Sequence, residues 1–180
     1  MIALRRAAQG DEAEIARVNV EAWRQAYAAL VPPAMARAVT LARRRPMWQA
    51  LIGRHETTHP TWVAVDAAAG VVGFATGSPA GSPVEGFQGE LHMLFVAPGF
   101  QRRDVGRRLF HAMADGLVAA GAGSAVATVL EAPSAVGFCQ ALGGVALGDA
   151  DLDIAGVAVH QTLFAWPDLA NLPTQPDLDP

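Results

Sequence analysis

The chain has 180 residues, 52% of them hydrophobic, and a formal net charge of −4, a length that suits one domain burying roughly 70% of its unfolded surface. All thirteen basic residues are arginine, and a chain without lysine has no Walker-type phosphate loop, no internal pyridoxal Schiff base and no Ser-Lys catalytic pair. The acidic balance argues against nucleic-acid partners, and the single Cys139 excludes an internal disulfide framework. The sequence shows no apolar run of the ~18 residues a membrane span needs and no basic-then-apolar leader. A cytoplasmic protein with no membrane partner is expected.

Residues 2–7 read as a short edge strand. Asp11, with Glu14 three residues on, has capping-box spacing and opens a helix. Ile15, Val18, Ala22, Trp23, Ala26, Tyr27 and Leu30 form its apolar face, and Pro32-Pro33 ends it. A second helical region spans about 34–54. Residues 61–77 read as two strands joined by a turn near 68–70, and the Gly/Pro/Ser-rich 77–86 as a loop. A strand at 88–98 stops at Pro98-Gly99; Val105, Leu109, Met113 and Leu117 then mark a helix. A strand at 124–132, a helix at 133–144 closed by two glycines, and a last strand at 156–166 follow. The order β-α-α-β-β-β-α-β-α-β-β is that of one mixed α/β domain over 1–166, with a Pro-rich acidic tail at 167–180 that is unordered or wraps the surface.

Two motifs bear on chemistry. HETTH at 55–59 matches a zinc-protease pattern, which requires both histidines on one face of a continuous helix. Pro60 pushes His59 out of helical geometry, and two threonines weaken the helix, so no metal site is expected. FVAPGFQRRDVGRRLF at 95–110 places a tight turn before a helix. The first N–H groups of such a helix lack partners and sit at the positive end of its dipole, a place for phosphate or pyrophosphate. Gln101, Arg102 and Arg103 add donors, and Gly106 lets a ligand approach the backbone. On residue chemistry alone, an anion site and a solvated basic helix start are both open.

The stretch ELHMLFVAPGFQRRDVGRRL (90–109) resembles motif A of the GNAT superfamily of acetyl-CoA-dependent N-acyltransferases, whose signature Q/R-x-x-G-x-G/A falls on Gln101 to Gly106. VLEAPSAVGFCQALGG (129–144) is similar to the family's motif B, and the IAxVxxEAWxxAY pattern at 15–27 is typical of many members. The resemblance implies an α+β fold with a mixed, mostly antiparallel, splayed sheet flanked by helices. The strands at 90–96 and 124–130 would part in a V for the pantetheine arm of acetyl-CoA, with backbone groups of Phe95 and Val96 pairing with it. The amides from Gln101 through Arg102, Arg103, Asp104, Val105 and Gly106 to Arg107 would cradle the pyrophosphate. It further implies direct acetyl transfer to a small-molecule amine or peptide acceptor. Glu90, six residues before Val96, would act as base, and His92, on the same face by period two, would assist. Trp23, Tyr27 and the 77–87 loop would wall the acceptor, although core packing is the alternative for Trp23. Exposed edge strands make a homodimer plausible.

Three positions depart from the family pattern. Asp104 stands at the signature glycine, Ala132-Pro133 where an asparagine is usual, and Cys139 where a tyrosine commonly protonates the leaving thiolate. Asp104 is expected to cap the helix near Val105 while repelling a nearby phosphate. Cys139 is expected either to replace the tyrosine as acid or to be a small buried helix residue. These departures imply, as an alternative, a catalytically degenerate GNAT-like module that binds coenzyme A or a protein partner.

Overall fold

A computed structural model of the chain describes residues 1–53, 60–79, 84–154 and 156–173. The chain runs through β1 (Ile2–Arg6), α1 (Glu12–Tyr27), α2 (Pro33–Ala38), α3 (Leu41–Gly53), β2 (Thr61–Asp66), β3 (Gly70–Ser78) and β4 (Gly89–Val96). A single 3-10 turn (Pro98–Phe100) leads into α4 (Val105–Ala119), then β5 (Ala125–Leu130), α5 (Pro133–Ala141), β6 (Val145–Ile154) and β7 (Val157–Trp166). The HETTH run and the tip of the 77–86 loop lie outside the described residues. No helix among the described residues is long and apolar enough to cross a membrane.

The strands form a seven-stranded sheet in the order β1-β2-β3-β4-β5-β7-β6. Every pairing is antiparallel except that of β4 with β5. The apolar stripe of α4, with Val105, Leu109, Phe110, Met113 and Leu117 buried, packs on one face with Cys139 and Leu142 of the α5 region. The other face carries α1 and α3, where Ile15, Val18 and Trp48 close on Val63, Val71 and Phe74. A smaller cluster of Val20, Trp23, Val31, Val39 and Val159 extends this layer toward β7. Burying a large side chain in such a layer contributes about 1.5–3 kcal/mol, so these two layers hold the sheet in place.

Several local expectations are corrected. Asp11 occupies the N-cap position of α1 without capping it. Its carboxylate instead takes both Arg5 guanidinium nitrogens, at 2.6 and 2.8 Å, and the Ala8 amide at 2.8 Å. Glu14 turns away to accept the Val71 amide of β3. The tertiary partners outcompete the reciprocal box because a charged bidentate pair is stronger than a neutral cap. The helical region expected at 34–54 is two helices, α2 and α3, because Val39 is extended, with its side chain buried in the small cluster. Of the two alternatives for the tail, its described residues take the second: Leu169 donates its amide to Gly123 O and is buried, and Leu172 packs against the same core.

The Arg5 guanidinium holds the Asp11 carboxyl below the usual carboxylate value. A depressed native value stabilises the fold above the unfolded value near ~3.9, and that contribution is lost as pH falls through the native one. Arg5 is half exposed, so Asp11→Asn is expected to cost only about 1 kcal/mol, a fall of roughly 2–4 °C in Tm at neutral pH. The difference should close in melts run at progressively lower pH; a Tm gap that persists in acid would contradict the assignment.

Candidate active site

The feature that shapes the site is a failure of pairing. β4 and β5 run parallel and register only at Gly89–Ala125 and Glu90–Val126; beyond these the two strands part. On its other side β4 pairs with β3, and Ala97 donates to Val72 O at 2.8 Å. Hydrogen bonds alternate sides along an antiparallel pair, so the amides and carbonyls of Leu94 and Val96 face the fork, whereas those of Phe95 face β3. The backbone expectation at Phe95 is therefore moved to Leu94, a residue the sequence did not single out. Parity could have found it once the β3 register was known. The Val96 carbonyl accepts from the Gln101 side chain at 3.0 Å, and the same Gln101 nitrogen donates to Gln25 of α1 at 2.8 Å. Gln101 thus ties the loop to both α1 and the fork.

Glu90 and His92 sit at the narrow end of the fork. Between Thr76 and Gly77 the register of β3 against β4 slips by one, leaving His92 as an extra residue, a β-bulge. Below the bulge Leu91 packs with α4; above it Leu94 and Val96 do, while Met93 and Phe95 join the α1 and α3 layer. The bulge therefore carries the Glu90–His92 edge onto the α1 side instead of the side of Leu94. His92 Nδ1 lies 3.6 Å from Glu90 Oε1, and its Nε2 is 3.0 Å from the Ser78 hydroxyl. Both side chains are about a quarter exposed, so they are reachable from solvent yet held. Ser78 escaped the sequence reading because a hairpin, not chain proximity, brings it there.

The loop before α4 has the shape expected of an anion site, with one correction. Asp104 adopts φ 63°, the left-handed conformation for which its signature position favours glycine, and Arg102 does likewise at φ 60°. Each such non-glycine residue costs on the order of 1 kcal/mol, least for Asp and Asn. A left-handed residue followed by the first helical one turns successive N–H groups into one concavity, here Asp104, Val105 and Gly106. Asp104 makes no capping hydrogen bond. Its carboxylate instead grips Arg107, at 2.6 Å to Nε and 2.5 Å to Nη2. Arg103 stacks over Phe100 at 5.5 Å. The missing Cβ at Gly106 serves packing: a Cβ there would stand 3.2 Å from the Phe138 ring of α5. A groove of about 360 Å³ begins at Asp104 and Arg107 and runs along α4 past Arg108, His111 and Asp115. Leu4 of β1 completes its lining and neither Glu90 nor His92 takes part in it, so the fork and not this groove is the candidate for chemistry.

On the α1 face, Trp23 is buried and backs Tyr27 with ring centroids 5.9 Å apart. Tyr27 meets Phe95 edge-on at 6.2 Å. Cys139 is buried on the opposite, α4–α5 side, and that burial pushes its thiol up to about 11. No group of three or more His, Cys, Asp or Glu among the described residues could hold a metal ion.

Comparison with known proteins bears on the fold and the family. Residues 16–143 match the profile of the Acetyltransferase (GNAT) family. The chain is 29% identical over 174 residues to YuaI of Bacillus subtilis, an uncharacterized N-acetyltransferase, covering 97% of this chain and 98% of that protein. In structure it is similar to YncA of Salmonella typhimurium, solved with its cofactor acetyl-CoA (TM-score 0.71, 20% identity, 99% of each chain covered). It is similar as well to a GCN5-related N-acetyltransferase of Rhodopseudomonas palustris (TM-score 0.68, 23% identity, covering 91% of this chain and 93% of that one). A match over well more than half of its length places the chain in the GNAT family, and it is an acetyltransferase.

The bulge depends on Gly77, since a Cβ there would lie 2.6 Å from Glu90 O. Gly77→Ala must spread β3 from β4, and is expected to cost about 1–3 kcal/mol and to lower Tm by at least ~3 °C. Calorimetry checks this; an unchanged Tm would mean that the strands part freely at the bulge.

Proposed function

We propose that the protein transfers the acetyl group of acetyl-CoA directly to a primary amine of a small molecule or peptide. The observation that carries this reading is the fork, where the backbone groups of Leu94 and Val96 face away from β3 and β4 has lost β5 as a partner. An extended arm bearing amides can satisfy those groups as an added strand does. The pantetheine arm has that chemistry. At the wide end, the Asp104–Gly106 concavity at the start of α4 offers N–H groups and a helix dipole to a pyrophosphate, with Arg102, Arg103 and Arg107 nearby. The residues present therefore fit acetyl-CoA as co-substrate.

The reaction then needs little from the protein beyond position and proton transfer. An alkylamine with a pKa near ~10 is mostly protonated at neutral pH, so a base must take its proton before or during attack. Glu90 is assigned this role, receiving the proton directly or through His92, which Ser78 orients. The amine nitrogen attacks the thioester carbonyl, the C–N bond forms, and the C–S bond breaks with its electron pair on sulfur. Tyr27 and Phe95 supply aromatic wall on the acceptor side, backed by Trp23. A degenerate module that binds coenzyme A without turnover is the rival reading, motivated by Asp104 and Cys139. The left-handed backbone at Asp104 weighs against it, because the conformation asked of the glycine is kept.

Acetyl-CoA is expected to raise the melting temperature and to release thiol with a member of a primary-amine panel; binding without thiol release would favour the degenerate module. Glu90→Gln should lower kcat by about 10²-fold while leaving acetyl-CoA affinity intact, and an equal loss in both would show that Glu90 shapes the binding site and is not the base. An unscreened like charge at ~4 Å costs about 1 kcal/mol in water, so Asp104→Gly should tighten acetyl-CoA binding about fivefold. Calorimetric titration that finds unchanged or weaker binding would show the carboxylate directed away from the phosphates.

A further inference from the structure

At one point the chain fills the fork with a side chain of its own. The 3-10 turn at Pro98–Phe100, in which Phe100 donates to Ala97 O at 2.8 Å, doubles the chain back and returns Gln101 to the end of β4. Its carboxamide nitrogen lies 3.0 Å from Val96 O and 2.8 Å from Gln25 Oε1 of α1. A backbone carbonyl only accepts, so Val96 fixes which end of the Gln101 amide is the nitrogen, and Gln25 must present its oxygen. Both Nε2 hydrogens are then engaged. Val96 stands opposite Gly73, and the next amide, that of Ala97, already serves Val72 O. By alternation the Val96 carbonyl points away from β3 into the fork, where β5 has no registered residue beyond Val126. Gln101 therefore donates from the side on which a neighbouring strand would. A carbonyl left without a donor costs about as much as a lost hydrogen bond, and in the free chain this side chain prevents that loss. Gln25 is exposed on α1 and takes no part in the core; its amide oxygen holds the Gln101 carboxamide on Val96.

We propose that the Gln101 side chain is a resident stand-in for the cofactor's amide: it occupies the Val96 carbonyl in the free chain, is held there by Gln25, and is displaced when the pantetheine arm enters. The inference rests on the acetyl-CoA reading above and gives that site a built-in competitor. The exchange conserves the hydrogen bond at Val96, whose carbonyl gives up Gln101 Nε2–H and accepts an amide N–H of the arm. The released carboxamide hydrogen turns to water, and no covalent bond changes. The cofactor thus binds the fraction of molecules in which Gln101 has swung away, and its apparent affinity is lowered by that fraction. Because the second anchor lies on α1, a residue outside the fork sets part of the affinity for the cofactor. The backbone amide of Gln101, assigned to the pyrophosphate cradle, takes no part in the exchange and is kept when the side chain is removed.

The sign of the effect separates a stand-in from a side chain that holds ligand or merely supports the loop. In calorimetric titration of the full-length chain, Gln101→Ala is expected to tighten coenzyme A binding about three- to tenfold, the worth of one net hydrogen bond. Gln25→Leu, which keeps Gln101 but removes its anchor, should tighten it about twofold. Adenosine bisphosphate, the nucleotide half of coenzyme A without the arm, should bind Gln101→Ala and wild type alike. The stand-in also stabilises the free chain, so Gln101→Ala should melt about 2–3 °C lower alone and level with wild type when coenzyme A is saturating. Unchanged or weaker coenzyme A binding by Gln101→Ala, equal tightening of the nucleotide half, or a melting gap that persists at saturation would overturn the proposal. If wild type binds coenzyme A and Gln101→Ala binds it no tighter, this inference alone fails. If wild type binds no coenzyme A, the acetyl-CoA reading fails and takes the inference with it.

Discussion

The separation of β4 from β5 after two paired residues is the constraint on which the rest of the molecule depends. Backbone N–H and C=O groups buried without partners cost about as much as a lost hydrogen bond each, so a sheet does not open in its middle unless its other bonds hold it. Here they do: β4 is held along its far edge by β3, and β5 by β7 over six registered pairs. Helix layers clamp both sides, with α4 and α5 on one face and α1 and α3 on the other. The fork is thus a standing feature of the fold and not a local defect. The backbone groups it leaves without a strand partner are what a strand-like ligand would meet.

Strain and charge gather at the two ends of the fork. At the wide end, Arg102 and Asp104 both adopt left-handed backbone, a conformation that side chains with a Cβ seldom take. The concavity survives the loss of its glycine, but now carries a carboxylate, which Arg107 holds by two contacts. Geometry has been kept while electrostatics has been compromised. At the narrow end, the bulge at His92 spends one residue of β4 to bring Glu90, His92 and Ser78 together on the α1 face. Gly77 is what lets β3 approach closely enough for this. The same short strand therefore serves α4 packing through Leu94 and Val96 and carries the proposed base, Glu90, on its other face.

The aromatic group on α1 connects these ends. Trp23, Tyr27 and Phe95 form a chain of ring contacts from the small core cluster to the fork. Trp23 is spent on packing, and Tyr27 stands between it and Phe95. A tyrosine at a helix C-terminus is ordinarily read as an amphipathic cap on a core, its ring buried and its hydroxyl wet.

Much of this was legible in the chain alone, because it rests on local periodicity and local chemistry. The apolar spacing of Val105, Leu109, Met113 and Leu117, the Pro98-Gly99 stop and the Gln-Arg-Arg run locate the strand, turn and helix of the anion site. The absence of lysine closed off whole reaction classes. What the chain alone left open was decided by contacts between residues distant in sequence. Asp11 and Glu14 have capping-box spacing, but Arg5 and Val71 claim their carboxylates. The resemblance put the backbone contacts of the fork at Phe95 and Val96, but the β3 register turns those of Phe95 toward β3 and leaves Leu94 beside Val96 on the fork side. At Gly106 the space that a Cβ would take belongs to Phe138, a neighbour the sequence did not reveal. The sequence by itself determined which elements form and where positive charge gathers, since those follow from side-chain type and spacing within a few residues. The tertiary structure alone decided which backbone groups lack a strand partner, which face Glu90 and His92 occupy, and which partners claim the Asp11 and Glu14 carboxylates, because register, bulge and strand divergence are set only when separate segments compete for the same hydrogen bonds.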